Sequence, residues 1–415
     1  MYQSNINKYL KNIKTRRTQM AKIEQIILLV ILSLLSMNFV ARVFYLAFIL
    51  FVVIAILQKG LDIPGAVFPT FLLAISMCMF SPSAHDEILG MIKPFTYPLC
   101  VIIGYNLAYA DNVEKTKKQV IWIIIALAFG SYSHYILNMF YNWGQNIGRN
   151  TFDIWTRTIL SATGQASLAC IMIGVSITLL FSELHYIIKI SSFIVLISIL
   201  YYNLILAGRT IFILVTIILI LNFLISFMRI RSTNTLIKRM LIIFLILFII
   251  YYIIKNNIFG INDIFRDSNY FKRFYSKYGS DGIYEDGRLL FKKMYLQNML
   301  YYPFGGNELR QAVGNHHAHD VLLDTYSDSG LFAMIAVMIM IINTIVRVYK
   351  ICKYDRAFFF FNMIISNVII AILYIFSIEP ILEGMPWLFA SFCVIYGAIA
   401  QLIDNLNNRD ITMTT

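Results

Sequence analysis

Three of the chain's six histidines fall within four positions, in the run Gly314-Asn315-His316-His317-Ala318-His319-Asp320. A neutral imidazole near pH 7 can take a proton from a hydroxyl, so one use of such a run is a general base or a substrate clamp. A second use is a zinc site. No cysteine lies near, and His317-x-His319 is thin as a ligand spacing, so no metal is expected. A third reading is a polar surface linker. The base-or-clamp reading leads, because the cluster stands just before an apolar run.

Anion chemistry would fall to arginines. Arg209 sits at the tip Ala207-Gly208-Arg209 and interrupts an apolar run from about 187 to 228. Arg288 opens the helical pattern RLLFKKMYLQNM, and Arg310 follows it before the histidines. A guanidinium donates paired hydrogen bonds to phosphate oxygens and stays charged. The plainer readings are a snorkelling helix-end cation for Arg209 and a solvated loop charge for Arg288. The stretch from Arg149 through Asp153 and Trp155 to Arg157 could touch a sugar or phosphate, and Trp155 could equally be an interfacial anchor. The small residues of Ala162-Thr-Gly164-Gln165-Ala-Ser167 suit close helix packing. Glu379 and Glu383 flank Pro380 and receive no role.

The elements that must position these groups are membrane helices. Of 415 residues, 59% are hydrophobic and only 13% charged, too little polar surface to coat a water-soluble sphere. About twelve runs suit a span of roughly 20 apolar residues. They lie near 25–41, 43–58, 64–80, 88–110, 120–141, 158–182, 187–207, 210–228, 240–254, 331–348, 358–378 and 385–403. Lys93-Pro94 predicts a kink or a late start in the fourth. The expected fold class is therefore an all-α polytopic membrane protein with one large extracytoplasmic loop domain. Its parts are a basic tail over 1–24, spans over 25–254, the loop over 255–330, spans over 331–403, and a tail over 404–415.

The net charge of +12 does not predict nucleic-acid binding, because the cations cluster in short runs between apolar stretches. Placing the N-terminal tail in the cytoplasm puts Lys115, Lys117 and Lys118 inside as well. The same register brings in Arg229, Arg231, Lys238 and Arg239, and then Arg347, Lys350, Lys353 and Arg356. Both termini are then cytoplasmic. The outer face receives 142–157, the Arg209 tip, 255–330 and the turn near Glu379. The five cysteines are scattered small hydrophobes, and the N-terminus lacks the pattern of a cleaved signal peptide.

Several short motifs also carry a resemblance. His319-Asp320-Val-Leu-Leu323, followed by Asp328-x-Gly330-Leu331, resembles the signature of the O-antigen ligase and Wzy-type polysaccharide polymerase superfamily. His317 fits the H-x-H form. Asp320 stands where the family commonly has Asn, and Asp328 where it commonly has Glu. Tyr302-Pro303-Phe304-Gly305-Gly306 resembles the family's glycine turn, with Arg288 upstream as its loop arginine, and Ala207-Gly208-Arg209-Thr210 resembles the S-R-[ST] tip. The motif-bearing part covers roughly residues 200 to 345.

The resemblance implies a glycosyltransferase of the bacterial plasma membrane. It would join undecaprenyl-diphosphate-linked oligosaccharide repeat units into O-antigen, capsule or exopolysaccharide on the outer face. His319, Arg209 and Arg288 would be catalytic; His317, Arg157, Arg149, Arg310 and Asp328 would bind substrate. Partners would be the lipid-linked donor, an acceptor glycan, membrane lipid, a chain-length regulator and a flippase, with no cofactor. Two alternatives stay open: a ligase passing finished glycan to a lipid or cell-wall acceptor, and a transporter of the lipid-linked unit.

Overall fold

The computed structural model describes residues 22–58, 60–82, 88–145, 149–228, 252, 255–256, 287–314, 316–354 and 359–414. Residues 1–21 of the basic tail, the cations Arg229, Arg231, Lys238 and Arg239, most of the expected span 240–254, and residues 257–286 of the expected loop lie outside them.

The described chain is mostly helical. The helices are α1 (Lys22–Ser36), α2 (Val43–Gln58), α3 (Phe68–Phe80), α4 (Ile88–Ile92), α5 (Thr96–Leu107), α6 (Val113–Tyr141), α7 (Ala162–Leu180), α8 (Tyr186–Ile205) and α9 (Thr210–Met228). After the gap come α10 (Gly287–Asn298), α11 (Gly306–Ala312), α12 (Val321–Tyr354), α13 (Phe359–Phe376), α14 (Ile381–Gly384) and α15 (Pro386–Thr414). Among the described residues, five helices are long and apolar enough to cross a membrane: α6, α7, α8, α12 and α15. Five shorter apolar helices accompany them. The expected kink is present, since one 3-10 turn, Lys93–Phe95, holds Pro94 between α4 and α5.

Two differences from the sequence reading bear on the site. The run expected to span from residue 158 begins as a strand: β1 (Asn150–Phe152) pairs antiparallel with β2 (Ile159–Ser161), with Thr151 opposite Leu160. Helix α7 starts only at Ala162, where the Ser161 side chain caps it by accepting the Gly164 N–H at 3.1 Å. The helix expected from residue 331 starts ten positions earlier, at Val321, and is broken once, at Gly330.

Helices α7 and α15 are the enclosed members of the bundle, while α8 and α12 lie at its periphery. Helix α5 runs against α15 with the backbones in contact. A methyl group on Gly104 would fall 1.9 Å from Val394 O, and one on Gly397 would fall 2.1 Å from Val101 O. Small residues at such a crossing permit the close approach that dispersion forces reward in lipid.

The bundle has two distinguishable ends. At one, Asn106 bonds Asp62 and Gln58, and Asn405 donates to Ala110 O and Thr116 Oγ1. The cations Lys115, Lys117 and Lys118 stand there, and the basic last turns of α12 run toward it. At the other end Phe39 packs on Trp155, Phe80 stacks on Phe304, and Arg310 meets Glu383. The polar groups singled out in the sequence gather at this second end.

Candidate functional site

The site begins with the cap of α12. Asp320 Oδ1 accepts the N–H of Leu322 at 3.0 Å and of Leu323 at 3.4 Å, so it satisfies orphan donors of the first turn. Asp324 reaches back: its two oxygens accept the N–H of Ala318 and of Asp320, each at 2.9 Å. These two aspartates fix the backbone that carries the histidines. His319 stands between the two N–H groups that Asp324 accepts, with φ 52°, in the left-handed region.

The break in α12 comes from a close backbone approach. Gly330 has φ 82° and ψ −179°, a conformation open essentially to glycine alone, and a Cβ there would lie 2.9 Å from the Phe304 backbone. Gly305, at φ 67°, approaches from the other side, and its Cβ would fall 2.2 Å from Tyr326 O. Leu331 then donates its N–H to Pro303 O at 2.9 Å instead of within the helix. The Tyr302–Gly306 turn and the Asp328–Leu331 segment, read as separate motifs in the sequence, thus form one backbone junction.

Around this junction a small second core of Tyr295, Leu309, Val313, Ala318, Leu323 and Tyr326 joins α10 and α11 to α12. Burial pushes the Tyr295 phenol up, so it stays a donor; its hydroxyl gives a 2.5 Å bond to His316 O and accepts one from Ser327 Oγ. The His316 ring stacks on Phe291 at 4.2 Å. These contacts hold the histidine loop against α10.

A chain of ionisable side chains links α11, α12, α14 and the histidine loop. Arg310 Nη2 is 2.9 Å from Asp328 Oδ1 and 3.5 Å from Glu383 Oε2. The same Glu383 oxygen is 3.5 Å from His317 Nδ1, which is 4.0 Å from Asp324 Oδ1. Beside it, Lys292 Nζ bonds Asp320 Oδ2 at 3.0 Å and Ser377 O at 3.2 Å. The His317 and His319 rings lie 6.3 Å apart. Both carboxylates lie on the Nδ1 side of the His317 ring.

Of the residues singled out in the sequence, His317, His319, Arg310 and Asp328 come together. Arg310 and Asp328, expected to bind substrate, are paired with each other. Arg288 lies in the first turn of α10, one turn before Lys292, and its side chain is outside the described part. Arg209 precedes α9 at the same end of the bundle. A methyl group on the neighbouring Gly208 would stand 3.6 Å from Ala162 Cβ, and one on Gly164 would stand 3.2 Å from Met385 Cε, two residues past Glu383. Three residues given no role in the sequence, Lys292, Asp324 and Glu383, belong to the cluster. Asp324 had a faint signal, as an acid one turn past a capping residue; Glu383 had none, because α14 meets α11 only through the fold.

The 142–161 connection is a separate construction. One face of α6 reads it residue by residue. Asn142 exchanges bonds with the Phe152 backbone, Asn138 Oδ1 accepts the Ile154 N–H, and His134 Nε2 is 2.7 Å from Asp153 Oδ2. Burial raises the Asp153 carboxyl, but His134 and the N–H groups of Thr156 and Trp155 outweigh it and hold it at about 2. Trp155 packs edge-on against Phe39 at 5.2 Å. Arg157 lies over the Tyr141 ring at 4.6 Å and donates to its hydroxyl, while Arg149 stands exposed just before β1.

Among the described residues, no group of three or more His, Cys, Asp or Glu side chains converges as a metal-ligand set. A scan of known protein families finds no model that matches the chain, and no curated protein matches it either.

Proposed function

We propose that this protein is a polymerase that joins undecaprenyl-diphosphate-linked oligosaccharide repeat units into a long glycan on the outer face of a bacterial plasma membrane, with both termini in the cytoplasm. The observation that carries the reading is the junction of the Tyr302–Gly306 turn with the Asp328–Leu331 segment. Two stretches that resemble one superfamily's motifs meet backbone to backbone, beside His317 and His319. The clustering of cations at the opposite end of the bundle supports the sidedness.

In this reading an acceptor hydroxyl attacks the anomeric carbon of the donor sugar. The bond from that carbon to the diphosphate oxygen breaks, and undecaprenyl diphosphate leaves with the electron pair. The hydroxyl proton passes to His319. Arg209 and Arg288 hold the diphosphate as its charge grows, and Arg149 and Arg157 line the approach. Removing one such donor costs roughly 10²–10³ in rate. His317, turned by Glu383 and Asp324, binds the acceptor sugar. The Arg310–Asp328 pair shapes the floor of the site. A chain-length regulator and a flippase would be its partners in the cell.

The test is replacement of the gene by His319→Ala, Arg209→Ala and Arg288→Ala forms in the host. Each should leave single-repeat glycan with the protein still inserted. Wild-type-length glycan in all three would end this assignment. Accumulation of long lipid-linked glycan would mark a ligase, and loss of all surface-side repeat units a transporter.

A further inference from the structure

We infer that the outward face of α10 and the turn after it rest in the interfacial layer of the bilayer, with Leu289, Leu296, Leu300 and Tyr301 in contact with lipid. This goes beyond the enzymatic reading and does not depend on it.

Helix α10 is two-sided. Phe291 and Tyr295 face the protein: Tyr295 lies in the small second core and bonds His316 O, Phe291 stacks on the His316 ring, and Tyr326 donates to the Asn298 carbonyl. The opposite positions 289, 293, 296 and 300 recur at helical spacing and are Leu, Lys, Leu and Leu. Leu300 is 87% exposed and Tyr301 80%, with Leu289, Leu290, Leu296 and Phe304 exposed beside them. A patch of large apolar side chains on that scale marks a contact surface, not a face that water was meant to cover.

Its height on the bundle names the occupant. Lys292 reaches the carbonyl of Ser377, just past the end of α13, and the Asp320 cap of α12. Phe304 stacks on Phe80 at the end of α3. Pro303 accepts the N–H of Leu331, in the first apolar turn of α12. Next along, Phe332, Ile335, Ile339 and Ile342 are exposed on α12, a helix apolar enough to cross a membrane. The apolar surface therefore continues from a spanning helix onto α10 at the level where three apolar helices end. A two-sided helix at that level lies in the plane of the interface, and Lys293 on its lipid side extends its amine to the headgroups. Arg288, in the first turn of α10, is thereby carried at headgroup depth.

The experiment uses the full chain in liposomes, with the half-buried Cys78 and Cys352 changed to Ser. Nitroxide labels go at Leu296→Cys, Leu300→Cys and Tyr301→Cys, with Phe332→Cys and Glu308→Cys as lipid-side and water-side references. Labels at 296, 300 and 301 should be relaxed more by lipid-soluble oxygen than by an aqueous nickel chelate, as at 332 and opposite to 308. Relaxation chiefly by the nickel chelate, or by neither reagent because protein covers the face, overturns the inference. Three separate positions keep the test open if one variant fails to fold, and no glycan is needed.

Discussion

Arg310 Nη2 sits 2.9 Å from Asp328 Oδ1, and the same nitrogen lies 3.5 Å from Glu383 Oε2. One guanidinium therefore ties α11 to α12 and to the turn before α15. The side chains of Arg310 and Asp328 are only 25% and 14% exposed, so the pair is neither a surface ion pair nor a fully enclosed one. Exposed pairs contribute about 0–1 kcal/mol, and breaking enclosed ones costs about 3–5 kcal/mol. Arg310→Ala should cost roughly 1–3 kcal/mol on that scale. Thermal unfolding of Arg310→Ala, Asp328→Asn and the double variant measures it. The double variant should be less destabilised than the sum of the singles; strict additivity contradicts the pairing.

The junction beneath that pair depends on two glycines. At Gly330 an added Cβ meets both an unfavourable φ and the Phe304 backbone; at Gly305 it meets Tyr326 O. The backbone conformation alone costs about 1–3 kcal/mol, and overpacking adds a similar amount of about 1–3 kcal/mol. Gly330→Ala and Gly305→Ala should each lower the unfolding temperature sharply. Gly384→Ala, where nothing lies within 4 Å of the new methyl, should leave it nearly unchanged. Equal behaviour of all three would mean that the turn does not dock on α12.

Acid should loosen the 142–161 connection before the bundle. The Asp153 carboxyl is held at about 2 against an ordinary value of 3.8, so its bonds favour the folded state while it is ionised. That contribution is fully present above about pH 4 and is lost as pH falls toward 2. Unfolding midpoints between pH 5 and pH 2 should therefore fall more steeply for the wild type than for Asp153→Asn. The variant begins lower at pH 5, because His134 loses its partner in a buried place. Parallel curves would detach Asp153 from the stability of the hairpin.

Much of this architecture was legible in composition. Long apolar helices announce themselves because lipid leaves no polar alternative for the backbone, and the Lys93-Pro94 interruption follows from a missing N–H. The start of α12 was not legible. Asp324, Ser327, Asp328 and Ser329 break the apolar run, yet they sit in helix because Asp324 caps, Asp328 pairs with Arg310, and Ser327 bonds Tyr295. The Ile159–Ser161 strand was hidden for the opposite reason: it is apolar enough to pass for the head of a span. The histidines drew notice in the sequence because three of the six fall within four positions. Glu383 was missed because its part is defined only by two partners distant in sequence, His317 and Arg310.

Sidedness can be read with a membrane-impermeant thiol reagent on intact cells. Glu308→Cys, exposed on α11 at the site end, should react from outside. Asp111→Cys, exposed before α6 at the opposite end, should react only after the cells are opened. The reverse pattern would place the histidine loop in the cytoplasm and remove the enzymatic account, while leaving the bundle as described.

The central claim is glycan transfer from a lipid diphosphate by this chain alone. The direct measurement is purified protein in liposomes with a synthetic undecaprenyl-diphosphate-linked repeat unit and no other protein. The account predicts a ladder of products spaced by one repeat, with undecaprenyl diphosphate released in step, and no ladder from His319→Ala. Intact donor after prolonged incubation with folded wild-type protein, across repeat units of differing sugar composition that include the host's own, would contradict it.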